Sequence, residues 1–206
     1  MAGTMPHAIF VETGLDAGAT VAAYAAELPG CASFAPSDGE ATAAIPARVR
    51  RFTEWLRANG EGVPQVVGDN WYEVERAAAG ADPGGRATFS LDELPPSDDE
   101  WTRWGGWLEL AREELAEAMD ARGLTALGED PWFAAILAQD ATLVAELGGP
   151  PAPTPTDPID RFYATRDALF AALDASGPSG SGVRRALRLT IADDLRLADR
   201  LRGGEA

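Results

Sequence analysis

The chain predicts an α+β fold, in which a small antiparallel sheet with one helix is followed by an all-α four-helix bundle. Three observations carry this expectation. Short apolar segments broken by turn residues run as far as Ala35, one helical period follows them, and after Asp98 four long stretches repeat apolar residues at three- and four-residue steps. The expected units are residues 1–93 for the α+β part and 97–203 for the bundle.

Residues 7–13 read as a first strand with Ile9 and Val11 on one face, 14–18 as a turn and 21–26 as a second strand. The run Glu27-Leu28-Pro29-Gly30-Cys31 closes that strand. Pro29 fixes φ and removes a donor, and Gly30 permits positive φ, so the pair reads as a tight turn into a third strand at 32–35. Asp38 can cap a helix carrying Ala41, Ile45, Val49, Phe52 and Leu56. Pro46 would cost about 3 kcal/mol inside it, so the helix is expected to begin there or to kink. Asn59-Gly60 is a stop signal. Residues 63–67 and 71–74 read as extended and 80–85 as a loop.

Composition changes at Leu94-Pro95-Pro96-Ser97-Asp98-Asp99-Glu100, whose acids favour the positive end of a helix dipole. The first bundle helix carries Trp101, Trp104, Leu108, Ala111, Leu115 and Met119. The second, from about Asp130, carries Phe133, Ile136, Leu137, Leu143 and Leu147. After a proline-rich connection at 148–158 comes a third, 159–175, with Ile159, Phe162, Leu169 and Leu173. A Gly/Ser stretch at 176–182 precedes the fourth, with Val183, Leu187, Ile191, Ala198 and Leu201. Four apolar stripes must be buried together, and a bundle does so economically. Trp71, Trp101, Trp104, Trp107 and Trp132 read as packing near the junction, or as the wall of an aromatic ligand pocket.

Charge excludes some functions. There are 33 acidic residues against 17 basic ones, all arginine, for a net charge of −16. Such a surface repels phosphate backbones, so no nucleic-acid partner is expected. The Arg48, Arg50 and Arg51 cluster reads as a solvated helix face. A single cysteine, Cys31, cannot form an intramolecular disulfide, fits a reducing cytoplasm and reads as structural. No signal peptide, no membrane span and no membrane partner are expected, and the expected location is cytoplasmic. No phosphate loop, Cys/His cluster or nucleophile–base pair is recognisable.

Two charges stand where apolar residues belong. Asp194 lies one heptad from both Leu187 and Leu201, with Thr190 beside it, and Arg166 lies seven residues from both Ile159 and Leu173. Gln139 follows Ile136 by three residues. A buried charge without a partner costs several kcal/mol, so Arg166 and Asp194 are expected to pair inside the bundle with Gln139 close by. The group is either a tie that sets helix register or the floor of a small polar pocket. As a ligand site it comprises Gln139, Arg166, Thr190 and Asp194.

Residues 5–65, with the Leu28-Pro29-Gly30-Cys31 turn and the helix ending Phe52-Thr53-Glu54-Trp55-Leu56, resemble HicB-like antitoxin domains. Residues 97–203 resemble the DinB-like bundle, through Val183-Arg184-Arg185-Ala186-Leu187 at the start of the last helix and Arg166-Asp167-Ala168-Leu169 before it. The second resemblance implies a divalent metal held by one His of the second helix and two, four residues apart, on the last. Gln139, Asp194 and Ala198 stand at those positions here, and the only His, His7, lies in the other half. No metal and no cofactor are therefore expected, and Arg166 could supply the positive charge the metal once did. DinB-like bundles imply a homodimer. HicB-like domains imply a small basic toxin as partner, which the acidic surface would suit.

The expected function is thus a non-catalytic, two-module binding or regulatory protein. Two alternatives stand beside it. One is a thiol-dependent transferase-type enzyme with an altered polar site for a small-molecule ligand; the other is an antitoxin-like partner of a small basic protein.

Overall fold

In the computed structural model, which describes residues 7–63, 70–80, 85–122 and 131–203 (backbone alone for 131 and 132), β1 spans His7–Leu15. It runs two residues into the expected turn because Leu15 pairs with Thr20 beyond an irregularity after Glu12, and its side chain is buried. β2 (Thr20–Ala25) and β3 (Ala32–Ala35) follow, both antiparallel to their neighbours. A 21-residue helix, α1 (Asp38–Ala58), then leads to β4 (Trp71–Ala78).

The sheet is mixed, not antiparallel as expected. Its order is β3-β2-β1-β4, and β4 lies parallel to β1. The reason is topological: α1 forms part of a crossover that carries the chain from β3 past two strands to the far edge, and a crossover returns a strand in the same direction. Apolar alternation within a strand carries no information about that direction.

Nor does α1 begin at Pro46. Ser37, rather than Asp38, is its N-cap, accepting the Glu40 N–H at 3.3 Å. Pro46 sits inside the helix. Its cost is offset by a stripe that is buried on both sides of it, Ala41 and Ile45 before, Val49 and Phe52 after. Asn59 ends the helix, as the stop signal requires. The expected extended segment at 63–67 and loop at 80–85 lie largely outside the described residues.

The remaining helices are α2 (Asp98–Arg122), α3 (Pro131–Glu146), α4 (Pro158–Ser176) and α5 (Val183–Leu201). Ser97 and Glu100 cap α2 reciprocally, Ser97 Oγ accepting the Glu100 N–H and Glu100 Oε2 the Ser97 N–H. Asp157 caps α4, with Pro158 in its first turn.

α5 departs most from a helix with one apolar stripe. It is buried on nearly every side, including Arg184, Arg185, Arg188, Asp193 and Arg196. The sheet explains this. One face of the sheet receives α1, with Ser33 Oγ donating to the Ala41 carbonyl. The other, bearing Phe10, Glu12 and Tyr24, meets the segment around Phe89 and α5. One apolar cluster accordingly takes in Val11, Leu28 and Leu56 together with Trp107, Leu169 and Ile191. Burying each such side chain stabilises by about 1.5–3 kcal/mol. Trp104 and Trp107 are buried in it, and Trp107 meets Phe52 edge-on, 5.6 Å between centroids. The Trp132 side chain lies outside the described residues. Gly30 marks a close approach of the halves: φ is +87°, and a Cβ there would fall 2.1 Å from Ile191 Cγ2.

Candidate functional site

Three groups of polar side chains concern function, two closed and one open. The first centres on Arg86, in the segment between β4 and α2. Its guanidinium enters the junction of sheet and helices. Nε donates to both Glu12 oxygens at 3.1 Å, Nη1 to both Asp193 oxygens at 3.0 Å and to Gln139 Oε1 at 2.9 Å, and Nη2 to Tyr24 Oη. Tyr24 in turn donates to Glu12 Oε2 at 2.8 Å, and Gln139 Nε2 to Asp193 Oδ2 at 2.6 Å. Burial opposes the charge on Arg86, but Asp193, Tyr24 and Glu12 outweigh it and hold its pKa well above the ordinary value. Burial also pushes the Tyr24 phenol far up, keeping it a donor.

Arginines in the first two turns of α5 pin the same segment. Arg185 Nη2 donates to the Arg86 carbonyl at 2.7 Å, Arg188 Nη2 to that of Ala87 at 3.1 Å, and Arg184 Nε to that of Leu94 at 3.1 Å. Arg188 also pairs with Asp92 at 2.6 Å.

The second group lies between α3, α4 and α5. Arg166 Nη2 stands 2.8 Å from Asp194 Oδ1, so this pair forms as the heptad spacing requires, and Arg166 Nε stands 2.8 Å from Asp140 Oδ2. All three side chains are buried. The contacts lack hydrogen-bond alignment, and none of these nitrogens and oxygens has a hydrogen-bond partner among the described residues. Two carboxylates thus share one guanidinium. Burial raises their pKa values against the pull of Arg166, to about 7 for Asp140 and about 6 for Asp194. A cavity of about 30 Å³ borders Arg166 and Asp194, walled by Leu115, Met119, Phe162 and Tyr163. That is one water's share of liquid volume.

Of the residues expected at this site, Arg166 and Asp194 come together. Gln139 does not join them; it faces Asp193 and Arg86, one helical step round α3 from Asp140. Thr190 is buried, and its hydroxyl makes no hydrogen bond among the described residues. Asp140 could have been noticed as the next residue after Gln139. Glu12 had a signal too, as an acid ending the apolar run Ala8-Ile9-Phe10-Val11. Arg86 had none, because its partners are 53 to 107 residues away in the chain.

The donors at the expected metal positions do not fit a metal. Gln139 is committed to the Arg86 group, Asp194 to Arg166, and Ala198 has no donor. Among the described residues, no set of three His, Cys, Asp or Glu is placed to hold one. Likewise, no described helix is long and apolar enough to cross a membrane.

The third group lines a cleft of about 180 Å³ beneath the Gly30-Cys31 turn. Phe52 and Trp55 of α1, Leu195 and Asp199 of α5 and Glu114 of α2 line it. Arg48 is engaged, with Nε donating to the Ala32 carbonyl at 2.8 Å and Nη1 to Asp199 at 3.0 Å. Glu114 accepts from the Trp55 indole at 3.2 Å and pairs with Arg202. Cys31 is buried, and burial, opposed by Arg48, pushes its thiol up to about 12.

In comparisons with protein-family models, with curated proteins and with solved structures, nothing matches this chain.

Proposed function

We propose that this is a non-catalytic binding protein whose ligand site is the cleft beneath the Gly30-Cys31 turn, the charges inside the helices acting as structural ties. The observation that carries this reading is the contrast in space. The Arg166 group, where an altered DinB-like enzyme would hold substrate, borders room for about one water. The cleft offers about 180 Å³ and reaches the surface at exposed Arg51. Its chemistry favours binding over catalysis, since the Cys31 thiol stays protonated at neutral pH and so is a poor nucleophile.

The bundle's resemblance to metal enzymes then concerns architecture, with Arg166 as an internal cation where the metal chemistry is missing. The test is a screen of small molecules by ¹H–¹⁵N correlation spectra of the whole chain. Ligands should move the amides of Gly30, Cys31 and Ala32 and the Trp55 indole N–H. Hits that move only residues around Arg166 and Asp140 would overturn the assignment and revive the enzyme reading.

A further inference from the structure

We infer that the cleft takes a small monoanionic acid with an aromatic or compact apolar body, its carboxylate on Arg51 and its body against Phe52 and Trp55. This rests on the cleft being the ligand site and adds the ligand's class. The balance of charge around the cleft points to an anion. Arg48 is matched by Asp199 and Glu114 by Arg202. Arg51, which lines the same cleft, makes no hydrogen bond or ion pair with any described residue. A cation unmatched among the described residues therefore stands at the mouth of an aromatic-walled recess, on a chain whose net charge is −16. A guanidinium meets a carboxylate with two parallel N–H donors.

Size and the neighbouring acids narrow the class. A cavity of about 150 Å³ holds benzene, so about 180 Å³ suits a single ring with a short acidic arm. Asp199 and Glu114 also line the cleft, each already paired with an arginine, so Arg51 alone is left among the described residues to meet a ligand's charge, and one guanidinium matches a monoanion better than a dianion such as phosphate. The apolar wall is held in place: Arg48 is tied to the Ala32 carbonyl, and the Trp55 indole to Glu114. A recess so held costs little ordering on binding.

The experiment titrates the full chain with benzoate and phenylacetate, using benzyl alcohol as the neutral match and inorganic phosphate as the anion without a ring. Spectra are followed at Gly30, Cys31, Ala32 and the Trp55 indole. Both acids should shift these signals saturably. Arg51→Ala, an exposed change that leaves the core intact, should weaken benzoate about tenfold or more, the worth of a hydrogen bond to a charged group, and leave benzyl alcohol unchanged. Leu195→Trp, which fills the recess, should abolish both.

If benzyl alcohol binds as well as benzoate and Arg51→Ala changes neither, the anionic class is wrong while the cleft stands as the site. Phosphate outcompeting benzoate would overturn the apolar part. Benzoate binding that survives in folded Leu195→Trp would place the probe elsewhere and overturn the inference and the cleft together. Cleft signals that no probe moves would overturn both as well.

Discussion

Asp193 and Asp194 are adjacent on α5, yet they enter two different charge clusters. Each cluster has one guanidinium and two carboxylates: Arg86 with Glu12 and Asp193, Arg166 with Asp140 and Asp194. Stoichiometry is the same, and surroundings are not. Around Arg86 the second carboxylate charge meets further donors, the Tyr24 hydroxyl and the Ala87 N–H at Glu12, the Gln139 amide at Asp193. Around Arg166 no such donor is present among the described residues, and the excess charge is met by raised carboxylate pKa values. Buried charge is thus accommodated by hydrogen bonds in one place and by protons in the other.

The largest effect expected from this contrast is on Arg86. Arg86→Met leaves two buried carboxylates without their cation and should cost about 3–5 kcal/mol in chemical denaturation. Arg166→Met should cost less at pH 5.5 than at pH 8, because Asp140 and Asp194 can take up protons. Equal losses by both variants at both pH values would erase the distinction.

Next in size is replacement of the second cluster as a unit. Asp140→Leu/Arg166→Met/Asp194→Leu should leave the protein as stable as before or about 1–4 kcal/mol more stable, as buried ion groups often do when replaced by apolar side chains. A clear destabilisation would mean that this cluster is as well satisfied as the first.

A double-mutant cycle tests which cluster Gln139 belongs to. Coupling between Gln139→Ala and Asp193→Ala should fall in the range of about 0.5–3 kcal/mol expected for contacting residues, and Gln139→Ala with Asp194→Ala should stay within about 0.5 kcal/mol. The reverse order would restore Gln139 to the Arg166 group.

A further effect concerns pH. Folded Asp140 titrates at about 7 and Asp194 at about 6, both above the ordinary 3.8. Between about pH 4 and 7 the folded state therefore binds more protons than the unfolded one, so the contribution of these groups to stability declines as pH rises through that window. Asp140→Asn removes the larger share, and wild type should lose stability relative to this variant from pH 5 to pH 7.5. A flat difference would place the proton elsewhere.

How much of this is legible in the sequence varies with the kind of contact. The Arg166–Asp194 pair can be read because both residues interrupt apolar heptads, and a charge on a buried stripe must find an opposite one. The third strand and the Asn59 stop can be read from local chemistry, since turns and caps are decided by the residues that form them. The direction of β4 cannot, because a side-chain pattern is the same for either orientation. The cleft is hidden for a similar reason. Arg48 and Arg51 are three residues apart on one helix, and only α5 and the start of β3 make the first a tie while the second lines the cleft.

By itself, then, the sequence determined the α+β class, most of the element order and the need for a charge partner at Arg166, because periodicity, caps and turn residues act over a few positions. The tertiary structure alone decided that α5 is central to both halves, that the sheet is mixed, and that Arg86 gathers Glu12, Tyr24, Gln139 and Asp193. Those outcomes depend on surfaces distant in the chain fitting together, as where Gly30 lies against Ile191, and no local pattern encodes which surface a buried face will meet.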